Sequence, residues 1–247
     1  MATVLSVNLN KIALIRNSRG RNDPDVCVFA RMALNNGAGG VTIHPRPDQR
    51  HARYSDAHEL KALLADYPGK ELNIEGNPVD EFLDVVLEVK PEQCTLVPDD
   101  PNQITSDHGY DLTKDGEMLK PIVERLQAAG IRVSIFMDPV PEQMALASQL
   151  GVERVELYTE GWAQAFGSET QEAVLESYRA SAAAAREVGL EVNAGHDLDL
   201  QNLATFLTIP GVDEVSIGHA LTVEALHQGY ESVVRQYATI CEMTVSE

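Results

Sequence analysis

The chain has 247 residues, a mass of 27.0 kDa and a formal net charge of -19. Hydrophobic residues make up 44% of it and charged residues 23%, which is the composition of an ordinary globular protein and excludes a disordered or fibrous chain. No run approaches the roughly 20 apolar residues of a membrane span, and the acidic balance disfavours nucleic acid as a partner. We therefore predict neither a membrane association nor a nucleic-acid partner.

The three cysteines are Cys27, Cys94 and Cys241, and neither a CxxC pair nor a metal-ligand spacing connects them. The first eight residues run directly into a strand pattern, without a basic region or a small-residue cleavage site. These features predict no disulfide framework, no zinc site and no export signal. They favour a reducing, cytoplasmic location.

Short apolar runs alternate along the chain with segments of helical period, which is the pattern of βαβ units in a parallel sheet. Strands are predicted at Val4–Asn10, Gly40–Pro45, Glu71–Gly76, Gln93–Pro98, Arg132–Asp138, Arg154–Glu160, Glu191–Asp197 and Glu214–Ala220. Helices are predicted near 24–37, 56–66, 79–90, 115–129, 141–150, 169–189, 199–208 and 221–241. Two long connections, 99–114 and 161–170, follow the fourth and sixth strands.

Eight strand-helix repeats in about 250 residues fit a closed barrel better than an open sheet. An open sheet that binds dinucleotides would carry a GxGxxG turn, and the sequence has none. We predict an α/β fold, a (β/α)₈ barrel that forms a single domain over residues 1–247. Either long connection would then lie on the active-site face, where it is placed to act as a lid.

Polar side chains collect at the predicted strand ends, where a buried strand normally stays apolar. They are Asn8, Asn10, His44, Glu75, Asp138, Glu156, Glu160, His196, Asp197 and His219. A single histidine at such a place often only completes a hydrogen bond, but in a barrel these ends meet, and together they favour proton-transfer chemistry. Asp138 precedes a proline and fits a helix cap equally well, so we leave it outside the catalytic set.

The segment from residue 11 to 53 is basic, in contrast with the rest of the chain. It carries Lys11, Arg16, Arg19, Arg21, Arg31, Arg46, Arg50 and Arg53 against Asp23, Asp25 and Asp48. Arginines in the loops after the first two strands suit a phosphate group, although charged runs often only face solvent. The near-repeat of Gly195-His196 and Gly218-His219 also fits a phosphate site, unless these glycines only relieve crowding. Lysine is scarce at the strand ends, which disfavours a Schiff-base aldolase.

Taken in order, these motifs resemble the pyridoxine 5′-phosphate synthase family of vitamin B6 biosynthesis over nearly the whole chain. The matching segments are Ser6–Asn8, Arg16–Gly20, Val41–Asp48 with Arg50 and His51, Asn73–Glu75, Cys94–Pro98, Asn193–His196 and Ile217–His219. The resemblance implies a barrel with extra helices, assembled as a homo-octamer. It also implies the condensation of 3-amino-2-oxopropyl phosphate with 1-deoxy-D-xylulose 5-phosphate, which releases water and inorganic phosphate. No cofactor and no metal are implied.

The resemblance also implies a role for each site residue. His44 and Glu75 would be general bases, His196 a general acid, and Glu156 a group that stabilises developing charge. The residues that would hold the two phosphorylated substrates are Asn8, Asn10, Lys11, Arg19, Arg46, His51, Thr105, Asp197, Gly218 and His219. This chain departs from the family motif at two places. Asn10-Lys11 stands where that motif has Asp-His, and Asp197 stands where it has Gly. A side-chain carboxylate at 197 would repel a phosphate unless only the backbone N–H makes the contact.

Two other functions use the same residues. In a sugar-isomerase-like barrel, Glu75, Asp138, Glu156 and His196 would bind a divalent metal ion, since carboxylates with one histidine suit Mg²⁺ or Mn²⁺. A barrel that binds a phosphorylated metabolite without turning it over would be a third possibility, which the departures at Asn10-Lys11 and Asp197 motivate.

Overall fold

The computed structural model describes residues 2–100, 103 and 106–243 of the chain. Eight parallel strands close into a barrel in chain order, with the last strand paired to the first. The strands are β1 (Val4–Asn8), β2 (Gly40–Ile43), β3 (Glu71–Gly76), β4 (Gln93–Leu96), β5 (Arg132–Met137), β6 (Arg154–Tyr158), β7 (Glu191–Gly195) and β8 (Val212–Ile217). The predicted α/β class and (β/α)₈ barrel are confirmed.

Helices surround the barrel, and a pair of them follows each of β1, β6 and β8. They are α1 (Asn10–Asn17), α2 (Val26–Asn35), α3 (Tyr54–Leu64), α4 (Asp80–Val89), α5 (Leu112–Ala128), α6 (Met144–Leu150), α7 (Glu160–Ala165), α8 (Gln171–Glu187), α9 (Leu203–Phe206), α10 (His219–Gln228) and α11 (Tyr230–Met243), with a 3₁₀ turn at Pro141–Gln143. The expected extra helices are therefore present. None of the described helices has both the length and the apolar character that crossing a membrane requires.

The sequence pattern missed two helices and merged two others. Helix α1 was not predicted because its apolar residues do not all lie on one buried face: Leu14 and Ile15 are exposed. Helix α7 occupies the first part of the segment 161–170, where a long connection was predicted, and that prediction was wrong there. The single helix predicted at 221–241 is interrupted at Gly229, whose φ of 83° a helix does not tolerate.

Each strand alternates apolar residues on its outer face with polar residues on its inner face. The outer residues pack against the helices and include Val7, Ile43, Ile74, Leu96, Ile135, Leu157, Ala194 and Ile217, all at most 2% exposed. The inner residues include Ser6, Thr42, Asn73, Thr95, Ser134, Glu156, Asn193 and Ser216. The main apolar core is thus a ring between the sheet and the helices, whereas branched apolar side chains usually fill the interior of such barrels.

Helix α7 is held in place by an aromatic cluster beneath it. Trp162 is fully buried, and its ring centroid lies 5.4 Å from that of Phe166 and 6.2 Å from that of Phe206. The hydroxyl of Tyr178 donates a 2.7 Å hydrogen bond to the carbonyl of Tyr158 at the end of β6. Helix α8, which carries Tyr178 and packs against α7, is therefore hydrogen-bonded to the end of a strand that carries candidate site residues.

Candidate active site

A cavity of ≈ 410 Å³ opens at the carboxyl ends of the strands. Its lining includes the polar strand-end residues Asn8, Asn10, Lys11, His44, Arg46, His51, Glu75, Glu156, His196, Asp197, Gly218 and His219. Several of these residues lie one or two positions beyond the last strand residue, where the hydrogen-bond ladder between the parallel strands has already ended. The predicted strands ran on to Pro45, Glu160 and Asp197, whereas the ladder of β2, β6 and β7 ends two residues earlier.

Three glutamates lie below and within this cavity, and burial raises the pKa of each of their carboxyl groups. The pKa of Glu156 is about 8, with the charge of Glu214 as a second cause after burial. For Glu214 the value is about 7. The pKa of Glu75 lies well above its usual range because of burial and then the charge of Glu156. These carboxyl groups therefore tend to hold protons near neutral pH, because burial and neighbouring negative charges disfavour their ionised forms.

The raised pKa of Glu214 predicts a pH dependence of stability. The unfolded chain releases this proton near pH 4.5 and the folded chain near pH 7, so stability is fully present below pH 4.5 and falls as the pH rises through 7. Glu214→Gln keeps the side-chain shape, and we expect it to stabilise the fold at pH 8 by on the order of 2 kcal/mol, with little effect at pH 4.

Urea unfolding at several pH values measures this difference. Glu187→Gln, a change at an exposed position, is the matched control and should follow the unmodified protein at every pH. Parallel stability curves for Glu214→Gln and the unmodified protein would show that Glu214 is not protonated in the folded state.

His44 is neutral in this environment. The residue is buried at the edge of the cavity, and its pKa lies well below the usual value because of burial and then the positive charge of Arg46. The side chain of Asn10 accepts a 2.8 Å hydrogen bond from the backbone N–H of His44, which fixes the start of the segment after β2. A neutral imidazole beside protonated carboxyl groups provides both proton acceptors and proton donors in one cavity.

Arg46 is 3% exposed and is held by the segment that follows β4. Its Nη2 forms an ion pair with Asp99, and its Nη1 donates to the carbonyl of Gln103 at 3.1 Å. Ser106 donates to the same Asp99 carboxylate at 2.7 Å. These partners orient the planar guanidinium, whose other N–H groups can donate to a ligand.

His51 presents a fixed tautomer to the cavity. Its Nδ1 accepts a 3.0 Å hydrogen bond from the backbone N–H of Ala52, so the neutral ring carries its proton on Nε2. Burial and the charges of Arg46 and Lys11 lower the pKa of His51 to about 4. The side chain is therefore a neutral hydrogen-bond donor of the kind that suits a phosphate oxygen.

A buried network anchors the loop that carries His51. Arg16 is 1% exposed and pairs through both terminal nitrogens with Asp56, at 2.5 and 2.9 Å. The amide of Asn17 donates to the carbonyls of residues 49, 50 and 51 at 3.2, 3.1 and 2.7 Å. The suggestion that Arg16 binds phosphate was wrong, since its guanidinium is committed to this network outside the cavity.

The glycines of the two Gly-His motifs leave room for neighbouring site residues. A Cβ atom on Gly195 would lie 2.3 Å from Oε1 of Glu156, and one on Gly218 would lie 2.9 Å from the Cβ of Asn8. Any other residue would displace the side chains beside it. These glycines therefore leave space for Glu156 and Asn8, and a phosphate role for the two Gly-His motifs stays a prediction.

One predicted binding residue, Arg19, is exposed after α1 and is not among those that line the cavity. Thr105 lies outside the described residues. Asp138 is also absent from the lining, and the described part of the chain contains no group of three or more His, Cys, Asp or Glu side chains placed to hold a metal ion. The ligand set of the isomerase alternative is therefore not assembled.

Sequence reasoning overlooked several residues of the cavity lining. They are Val97, Ser106, Asp107, Phe136, Tyr158, Leu198, Ser216 and Ala220. Phe136 and Tyr158 follow the period of two from inward-facing strand positions, and this signal was available in the sequence. Ser106 and Asp107 belong to the segment after β4, whose path no periodicity predicts.

Comparison with known families and proteins gives a consistent result. The family model of the pyridoxal phosphate biosynthesis protein PdxJ matches residues 5–243. The chain is 50% identical over 236 residues to a pyridoxine 5′-phosphate synthase of Christiangramia forsetii, covering 95% of this chain and 98% of the relative. It is 48% identical over 247 residues to that of Agrobacterium fabrum, covering 98% of each chain.

Solved structures with low sequence identity share the fold. The 3-hexulose-6-phosphate synthase of Salmonella typhimurium superposes with a TM-score of 0.64 at 16% identity, covering 99% of this chain and 100% of that one. A tryptophan synthase α-subunit of Pyrococcus furiosus gives 0.60 at 13% identity, covering 98% and 97%. At these identities the likeness concerns the barrel alone.

Proposed function

The chain belongs to the PdxJ family of pyridoxal phosphate biosynthesis proteins and makes pyridoxine 5′-phosphate, and we propose that it does so in the cavity at the barrel mouth. The substrates would be 3-amino-2-oxopropyl phosphate and 1-deoxy-D-xylulose 5-phosphate. The amine of the first substrate would attack the carbonyl of the second, so the enzyme needs no Schiff base of its own. Ring closure would release water and inorganic phosphate.

The observation that best supports these roles is the juxtaposition of unlike acids and bases in one cavity. His44 is a neutral imidazole and so a ready base. Burial raises the pKa of Glu75, but a cationic substrate amine beside it would favour its carboxylate form and make it a second base. His196 would deliver a proton to the departing hydroxyl group, and Glu156 would stabilise charge as it develops.

Two groups of residues would hold the two phosphates. Arg46 and His51 would bind the sugar phosphate, with Thr105 as a further contact implied by the resemblance. Asn8, Gly218 and His219 would hold the amino-ketone phosphate near the start of α10, where backbone N–H groups attract anions. Asn10 and Lys11 also line the cavity, and Lys11 would act there as a point charge. Arg19 does not line the cavity and would have to move to contact a substrate.

The test is a reaction of the purified, chelator-treated protein with both substrates. We expect the pyridoxine 5′-phosphate chromophore together with one equivalent of inorganic phosphate. Formation of product only after a divalent metal is added back would contradict the metal-independent mechanism. Substrate binding without any product would instead support the non-catalytic alternative.

We also propose that the chain assembles as a homo-octamer, which rests on the family resemblance. Exposed apolar side chains on α1 and α10, including Leu14, Ile15, Val223 and Leu226, support self-association, since Leu226 alone is 77% exposed. Eight chains of 27.0 kDa predict a mass of about 216 kDa in sedimentation velocity. A species of 27 kDa at micromolar concentration would contradict the proposal.

A cytoplasmic location is the final part of this proposal. Cys27, Cys94 and Cys241 are not joined in disulfides in the described part of the chain, which fits a reducing compartment. Cell fractionation tests it, and recovery with extracytoplasmic proteins would overturn it.

A further inference from the structure

The turn after β7 has an unusual backbone for the residues that form it. His196 has a φ of 84° and Asp197 a φ of 56°, so two consecutive residues other than glycine adopt the left-handed region. Such conformations are unfavourable for residues with a Cβ and persist where the surroundings hold them. The turn therefore has a specific geometry that needs an explanation.

Neighbouring side chains hold this turn through its carbonyl groups. The hydroxyl of Thr159 donates to the carbonyl of Gly195 at 2.7 Å and also to that of His196. The amide of Asn202 donates to the carbonyl of Asp197 at 3.1 Å. The turn is thus fixed from both β6 and the segment before α9, and its two side chains are placed by the backbone.

The result is a contact between the two side chains. Oδ2 of Asp197 lies 3.2 Å from Nδ1 of His196. The imidazole also contacts Tyr158, whose ring centroid lies 5.2 Å away in an edge-to-face arrangement. A carboxylate at Nδ1 keeps the proton on that nitrogen, which leaves Nε2 as the atom that exchanges a proton with a ligand.

We propose that Asp197 is a positioning residue for His196, and that its carboxylate orients the imidazole and stabilises its protonated form before proton transfer. This rests on the proposed function. In the transfer step the proton on Nε2 moves to the departing oxygen, and the neutral ring retains the Nδ1 proton towards Asp197. The carboxylate is not a phosphate ligand, which removes the repulsion that its presence suggested.

The other titratable groups near the pair do not take over the role of Asp197 beside His196. Those that line the cavity around it are Lys11, His44, Asp107, Tyr158, Glu160 and His219. The hydrogen bond from His196 is the largest cause of the lowered pKa of Asp197, and the charges of His219 and Lys11 lower this pKa further. Glu160 is engaged by the hydroxyl of Tyr158. The aspartate thus stays ionised at the pH at which the enzyme would work.

Asp197→Asn tests the charge, because the amide keeps the size of the side chain. We expect kcat to fall about 10-fold or more, with KM for both substrates within about 2-fold. The alkaline limb of the kcat pH profile should also move to lower pH, since the carboxylate that favours the charged imidazole is gone. Glu169→Gln, which removes an exposed carboxylate away from the cavity, is the control and should leave the profile unchanged.

Asp197→Gly separates positioning from a structural role. Glycine adopts a positive φ readily, so we expect the melting temperature to rise while kcat falls. Nitrogen-15 spectra of the histidine rings give a readout without turnover, and the Nδ1-protonated form of His196 should be lost in both variants. An unchanged pH profile and an unchanged ring spectrum in Asp197→Asn would overturn the inference. Absence of product from the unmodified protein would overturn the proposed function instead.

Discussion

Glu75→Gln is expected to retain both substrates and lose turnover by about 10²- to 10⁴-fold, the usual contribution of a general base. The amide has the shape of the carboxyl group, and its oxygen can still accept from the side-chain amide of Asn8 or of Asn73, each of which lies 3.5 Å from a Glu75 oxygen. It cannot take a proton. Calorimetry with each substrate separately and a single-turnover measurement of product distinguish binding from chemistry.

The matched control for this variant lies on the helix that follows the same strand. Glu81→Gln removes an exposed carboxylate in the first turn of α4, and we expect the rate of the unmodified protein. A Glu75→Gln variant with near-normal turnover would exclude Glu75 as the base. A variant that fails to bind the amino-ketone substrate would show instead that its carboxyl group serves recognition.

Arg16→Ala is expected to lower the free energy of unfolding by roughly 3–5 kcal/mol, the cost of leaving one member of a buried ion pair without its partner. Asp56 is 3% exposed, and its carboxylate also accepts from the backbone N–H of Arg53 at 2.7 Å. Removing the guanidinium leaves this charge buried with too few donors. Chemical denaturation gives the difference directly.

An exposed ion pair of the same type provides the control. Arg31 lies 3.9 Å from Asp66, with side chains 50% and 75% exposed, and Arg31→Ala should change stability by less than about 1 kcal/mol. Equal effects of the two substitutions would show that the Arg16 pair is not buried in solution. The double variant with Asp56→Asn should recover part of the loss, because the unpaired charge is then gone.

The sequence predicted the barrel well because its signal is repeated. Most strand starts were placed correctly, for example Glu71 and Arg154, since each follows a loop whose turn residues mark the boundary. The strand ends were predicted less accurately, because the sequence pattern of an inward-facing polar residue is the same within a strand and just after its last residue. His44 and His196 both lie after the ladder, although the pattern included them in strands.

The assignment of the basic residues shows where sequence reasoning ends. Arg16 and Arg46 both follow early strands and look equivalent in the chain. Arg16 pairs with Asp56, 40 residues away, and neither lines the cavity, whereas Arg46 lines the cavity and pairs with Asp99, 53 residues away. No local pattern carries contacts of this separation. His196 and Asp197 are neighbours in the chain, but the contact between their side chains could not be predicted because it depends on the left-handed backbone of this turn.

The ring-shaped core places stability and chemistry on opposite faces of the same strands. Outward positions such as Ile74 and Leu157 hold the helices, while the intervening inward positions face only one another and the cavity. A library that randomises inward residues which line the cavity, such as Phe136 and Ser216, would therefore leave the packing between sheet and helices intact. The barrel is thus a scaffold in which a new substrate preference can be selected without first repairing the fold.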